Sequence, residues 1–155
     1  MQIKKLMFAA VALSIAAGAS AQVKPEDQIK YRKAGYSFMS WNMGKIKAQV
    51  IDNPGSFNKD QVAAAANSIA ATANSGMGAL YGPGTDKDVG NQKTRVKPEF
   101  FKEQDEVRKV AMAFAKEANE LQKVAATGDI AAIKAQFGKT GETCKACHDK
   151  FRKDD

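Results

Sequence analysis

The sequence predicts an all-α fold, an antiparallel four-helix bundle, and three observations predict it. Gly and Pro accumulate at three breaks, apolar residues recur at spacings near 3.5 between those breaks, and no segment alternates apolar and polar residues as a half-buried strand would. Long amphipathic segments joined by short connections fold back on one another as antiparallel neighbours.

The first 21 residues stand apart from that pattern. Lys4 and Lys5 precede an apolar run from Leu6 to Ala17, and Ala19-Ser20-Ala21 follows as a small-x-small cleavage signal. The run is shorter than the roughly 20 residues a membrane helix needs. A buried N-terminal helix would leave the basic, apolar, small order unexplained. Residues 1–21 are therefore expected to be a signal peptide removed after Ala21. The mature chain, residues 22–155, is expected to be one domain exported to the periplasm, with no membrane segment.

Helical periodicity begins after Gln22. Over 25–51, Ile29, Tyr36, Met43 and Val50 stand seven apart, with Met39 and Ile46 between them, until Asn53-Pro54-Gly55 makes a turn. Over 58–81, Val62, Ile69 and Gly76 interleave with Ala66, Ala73 and Leu80. Gly82-Pro83-Gly84-Thr85 then opens a polar loop lasting to about Lys97, the longest connection expected. Over 98–126 the seam is Phe100, Val107, Phe114 and Leu121, backed by Ala111, Ala118 and Ala125. Thr127-Gly128-Asp129 breaks the chain again, and over 129–152 Ile130, Phe137, Cys144 and Phe151 recur with Ile133 and Cys147.

Charge excludes one class of partner. The chain carries 24 Lys and Arg against 17 Asp and Glu, a formal net charge of +7. The basic residues are interleaved with acids along the expected helices and do not alternate with aromatics, so a nucleic-acid surface is not expected. A solvated basic face that steers an acidic partner fits better.

Chemistry concentrates at the C-terminus, where "CKACH", residues 144–148, holds both cysteines and the single histidine of the chain. Cys144, Cys147 and His148 occupy i, i+3 and i+4, one helical face, and Phe137 and Phe151 turn that face inward. Plain core packing suits the cysteines but not the histidine directly after the second. A zinc site lacks a fourth soft ligand. A thiol redox pair belongs at a helix N-terminus in a βαβ setting, and this pair lies near a helix C-terminus. Cys-x-x-Cys-His is the attachment signature of c-type haem, and export agrees with it. The expected cofactor is one haem c per chain, bonded through Cys144 and Cys147, with His148 as the iron ligand.

Arg32 falls on the inward seam one turn before Tyr36, where an unpaired charge is costly. Haem propionates are the carboxylates it could meet, with snorkelling to solvent as the alternative. Tyr31, Ala34, Phe38 and Trp41 form a second apolar stripe on another side of the first helix, which implies a second neighbour: a partner subunit or a wider internal core.

A bundle with its haem motif at the far C-terminal end resembles the cytochrome c′ family, the four-helix class of c-type cytochromes. The carrying stretches are "YRKAGYSFM" in the first helix, "GALYGPGTDK" at the end of the second, "TRVKPEFF" opening the third and "CKACHDKFRK" at the end. The resemblance implies a five-coordinate iron held by His148, with Tyr36 in the position of a bulky residue over the open, distal haem face. It implies that Arg32 lies near the propionates, with Lys33 beside it and Thr94 and Arg95 at the same haem edge. Arg152 matches a basic residue close to the proximal imidazole, although its place four residues after His148 also suits the helix C-terminal dipole. The family is frequently homodimeric through its first helices.

Two functions follow, neither of them enzymatic. One is a haem protein whose open iron binds nitric oxide or carbon monoxide and takes part in electron transfer. The other is an electron carrier with a closed His/Met iron, for which the mature chain offers Met39, Met43, Met77 and Met112. A thiol oxidoreductase is the third and weakest reading.

Overall fold

A computed structural model describes residues 23–154. The expected signal peptide and its cleavage after Ala21 lie outside the described residues. Five α-helices carry the fold: α1 (Pro25–Lys47), α2 (Lys59–Ala73), the single turn α3 (Glu99–Lys102), α4 (Gln104–Thr127) and α5 (Ile130–Phe151). The four long ones form the antiparallel bundle. Among the described residues no helix is long and apolar enough to cross a membrane.

Local chemistry sets the boundaries. Pro25 takes the first position of α1, where a missing N–H costs nothing, and Glu26 and Asp27 complement the positive end of the helix. A π-helical turn, Ala48–Asp52, and a 3-10 turn, Pro54–Ser56, lead into α2. Asn58 caps α2, its side-chain oxygen accepting the Gln61 N–H at 3.0 Å. Gly128, at φ +81°, closes α4 in the left-handed conformation. Asp129 then caps α5 by accepting the Ala132 N–H at 3.0 Å.

Three boundaries differ from expectation. The second helix ends at Ala73, not near residue 81, because Gly76 sits at φ +79° and the chain restarts as a 3-10 turn, Met77–Leu80. The expected third helix is split at Glu103 into α3 and α4. The last turn of the first expected helix is wound as π. On α4 the inward residue is Val110, while Ala111 is exposed.

In the ring α1–α2–α4–α5 each successive pair packs extensively, whereas α5 and α1 meet only briefly. The hydrophobic core lies at one end of this ring: Ile46 and Val50 after it, Val62, Ala65, Ala66 and Ile69 of α2, Ala118, Leu121 and Ala125 of α4, and Ile133 of α5. Both short connections, 48–58 and 128–129, are at this closed end. Burying each Ile or Leu there stabilises the fold by roughly 1.5–3 kcal/mol. Two polar residues share the interior of α5. Gln136 donates through Nε2 to the Glu117 carboxylate at 2.7 Å, and Thr140 donates to the Gln136 carbonyl at 2.9 Å, so neither is left unsatisfied. The opposite end gathers the N-terminal half of α1, the loop after α2, α3 and the C-terminal end of α5.

Candidate haem site

The opening between α1 and α5 is where the expected ligands gather. Cys144 and Cys147 are half-buried on α5, and burial raises both thiols above their usual pKa, Cys147 also through Cys144. They are held as neutral thiols, which is the wrong state for a redox pair that needs a poised thiolate. Tyr36 faces them from α1. It is 42% exposed, yet desolvation raises its hydroxyl pKa, with smaller effects from the Tyr81 hydrogen bond and from both cysteines. A side chain accessible on one side and crowded on the others lines the wall of a cleft.

Behind Tyr36 stands Tyr81, whose hydroxyl donates to the Tyr36 hydroxyl at 3.1 Å. The Tyr81 ring stacks on Phe100 with centroids 4.2 Å apart and planes at 20°, and Phe100 meets Phe151 edge-on at 5.6 Å. Burial first, then Tyr36, pushes the Tyr81 hydroxyl far above its ordinary pKa. The cleft is therefore walled by aromatic rings, with one tyrosine hydroxyl bonded to another.

Arg32 is 2% exposed, so the snorkelling alternative does not apply. Its guanidinium lies 4.6 Å from the Tyr81 ring centroid. Nη1 donates to the Leu80 carbonyl at 3.1 Å and to Thr85 Oγ1 at 2.7 Å; Nη2 donates to the Thr85 carbonyl at 2.5 Å and to Thr94 Oγ1 at 2.7 Å. Four terminal N–H groups thus tie down the loop, and only the Nε–H is left over. Desolvation lowers the Arg32 pKa, opposed by Tyr81, Tyr36 and Asp86. The loop is held again at Gly82, whose N–H donates to Gln28 Oε1 at 2.7 Å. Lys33, next in sequence, is exposed and is not part of this cluster.

The loop's far end straps the motif. The Lys97 N–H donates to the Phe151 carbonyl at 2.8 Å, and the Lys153 N–H to the Arg95 carbonyl at 2.7 Å, so residues 95–97 run beside the end of α5. Arg95 and Arg152 are brought to His148 in this way. The His148 side chain is itself exposed, yet desolvation first, then Arg152 and Arg95, lowers the imidazole pKa, with Asp149 opposing. A neutral imidazole is the form that binds a metal.

The donor set fits haem c. Two thiols and one imidazole share a face of α5, an aromatic cleft opposes them, and both cysteines are free of any disulfide. Among the described residues no three His, Cys, Asp or Glu side chains are grouped to cage a bare ion. Of the predicted residues, Cys144, Cys147 and Tyr36 meet across the cleft, Arg95 and Arg152 meet at His148, and Arg32 meets Thr94. Tyr81, Thr85 and Gln28 were not singled out for the site. For Gln28 and Thr85 a polar residue at a helix start and one in a loop give no signal. For Tyr81 the signal is an aromatic directly before Gly-Pro-Gly, whose hydroxyl needs a partner once buried.

Known proteins resemble this chain in sequence and fold. The sequence profile of the family described as Cytochrome C' matches residues 27–152. The cytochrome c′ of Allochromatium vinosum is 58% identical over 143 residues, 92% of this chain and 91% of that protein. A solved cytochrome c′, described as having an unusual ligand-controlled dimer dissociation, superposes with TM-score 0.83 at 59% identity, covering 86% of this chain and 100% of that one. A ferrous cytochrome c prime variant from Alcaligenes xylosoxidans with bound nitric oxide superposes with TM-score 0.74 at 28% identity, covering 86% of this chain and 98% of that one. The match runs from the first turn of α1 to the residue after α5, and this chain belongs to the cytochrome c′ family, whose haem c its two cysteines are placed to hold.

Proposed function

We propose that the chain is a periplasmic haem protein whose iron is bound by His148 on one face and left open on the other, so that it takes up nitric oxide or carbon monoxide. Haem iron supplies the open coordination position and a ferric/ferrous couple. The observation that carries this reading is that the side chain facing Cys144 and Cys147 from α1 is a tyrosine, Tyr36, whose hydroxyl is already bonded to Tyr81. A neutral phenol is a poor iron ligand. The methionines are placed to match: Met112 is 66% exposed, Met43 packs on the closed core, and Met77 lies against Gly35. Met39 is buried one turn beyond Tyr36 and is the residue a closed His/Met iron would use.

The remaining roles follow from position. Cys144 and Cys147 would form the thioethers, and desolvation first, then Arg152 and Arg95, favours the neutral imidazole of His148. Arg32 fixes the loop, and the positive charge it places there would suit the haem propionates, with Thr94 at the same edge and Lys33 outside it. Tyr31, Phe38 and Trp41, exposed at 51%, 49% and 58%, form the face on which a second copy docks. Basic surface steers an acidic redox partner.

One measurement tests the reading. The ferrous holoprotein should show a high-spin absorption spectrum that shifts on adding carbon monoxide. A sharp low-spin spectrum indifferent to carbon monoxide would overturn it in favour of Met39 ligation and electron transfer alone.

A further inference from the structure

Tyr81 does not belong to the motif, yet its position is among the most constrained on the cleft wall. Its ring is held between the Arg32 guanidinium, 4.6 Å from its centroid, and the Phe100 ring, 4.2 Å away, because two planar groups at those distances do not fit over one face. Arg32 is itself fixed by four hydrogen bonds to the Leu80 carbonyl, Thr85 and Thr94. Phe100 is fixed by its edge contact with Phe151, in the last turn of the motif helix. The Tyr81 hydroxyl is thus a rigid point, and it donates 3.1 Å to the hydroxyl of Tyr36, a residue with 42% of its surface accessible and room to swing. The two are 45 residues apart in the chain and belong to different elements.

We infer that Tyr81 is a positioning residue: its hydroxyl latches Tyr36 across the open face of the haem cleft and so sets how fast a gas reaches the iron. This rests on the open-iron reading. A ligand entering from that side needs the Tyr36 ring to move, and the ring moves only when the hydroxyl–hydroxyl bond breaks. The split at Glu103 gains a purpose, since it leaves α3 as a separate turn that carries Phe100 onto the Tyr81 ring.

The test uses ferrous holoprotein and stopped-flow mixing with carbon monoxide. Tyr81→Phe keeps the ring stack and removes only the latch, so association should speed up about three- to tenfold, the factor expected for one neutral hydrogen bond. Tyr36→Phe cuts the same bond from the other side and should give a similar factor. The double variant should be no faster than either single one, because there is only one bond to lose. A second readout is structural: in crystals of ferric Tyr81→Phe protein, the Tyr36 ring should occupy more than one rotamer. Carbon monoxide uptake at the parental rate in Tyr81→Phe overturns the latch alone, as does an acceleration of equal size whether or not the Tyr36 hydroxyl is present. Ferrous protein that takes up no carbon monoxide overturns the open iron and the latch together.

Discussion

Where α1 runs into α2, Ile46, Val62, Ile69, Leu121 and Ile133 are all at most 1% exposed, and every one is aliphatic. At the other end Ile29 and Met39 are still buried, but beside them stand Tyr36 and Arg32 of α1, two cysteines of α5, and Tyr81 from the loop after α2, which is joined to Tyr36 and Arg32 by a hydrogen bond and a ring contact. The difference shows how a small bundle keeps a cleft open. An aliphatic end gains stability by collapsing, so any void there would close or be costly. Aromatic rings and a clamped arginine hold their spacing through directional contacts, and α5 can stand off from α1. This chain thus keeps its aliphatic core apart from the end that carries the Cys-x-x-Cys-His motif.

Substitutions at the two ends should therefore have different signatures. Leu121→Ala leaves a cavity in the closed core and should lower stability by about 2–5 kcal/mol in denaturant titration, with the haem absorption spectrum unchanged. A shifted spectrum would mean the two ends are mechanically coupled. Arg32→Met acts at the open end, where it strips partners from the Leu80 carbonyl, Thr85 and Thr94. The expected loss is about 1–3 kcal/mol, moderated because Thr85 Oγ1 keeps its bond to the Gly82 carbonyl at 2.8 Å. Amide exchange should accelerate across 82–97 while α2 and α4 remain protected; uniform acceleration would refute a clamp local to the loop.

The closed end was legible in the sequence and the open end only in part, for one physical reason. Heptad repeats such as Val62 to Ile69 report burial among apolar neighbours, so the four long helices and their antiparallel order are legible directly. The end of α2 was misplaced because Ala73 and Leu80 keep the apolar rhythm across Gly76, and only the positive φ reveals that the helix has stopped. Nothing in "PEFFKEQDE" announces the break at Glu103; the stacking of Phe100 on Tyr81 is a contact of tertiary origin. Gln136 and Thr140 continue the register of Ile133 and are buried, a placement that an apolar repeat does not signal for polar side chains. The haem motif was plain because its chemistry lies in five consecutive residues. Arg32 on the inward seam reads as a charge that needs partners, with haem propionates the expected ones; the acceptors the structure gives it come from a loop more than 45 residues away, a distance no local pattern spans.

A milder change probes the closed end again. Asp129→Ala removes the cap from the first turn of α5, and its cost should be about 1 kcal/mol, read as a lower unfolding midpoint. Cys144 and His148 lie several turns further along the same helix, so the haem spectrum and carbon monoxide kinetics should not move. Altered kinetics would show that α5 transmits strain from one end to the other.

The smallest expected effect is one of acidity, and it too should divide the molecule. The core cluster of the closed end contains no titratable side chain. At the open end Asp88 Oδ1 accepts the Thr94 N–H at 2.9 Å, and its Oδ2 lies 3.0 Å from Lys93 Nζ. These contacts, the Thr94 N–H foremost, hold the carboxyl below its usual pKa. A carboxyl whose folded pKa is depressed contributes its stabilisation fully above the ordinary value of about 4 and loses it as the pH falls through the depressed one. Thr94 also carries one of the four Arg32 contacts, so protonating Asp88 loosens the clamp from its outer side. Amide protection around Thr94 should therefore decline below about pH 4 while that of α2 holds. In Asp88→Asn the amide group accepts the same N–H at every pH, and the decline should vanish. If the variant keeps the parental acid response, the loop is being released by some other group and the charge on Asp88 has no part in holding the open end.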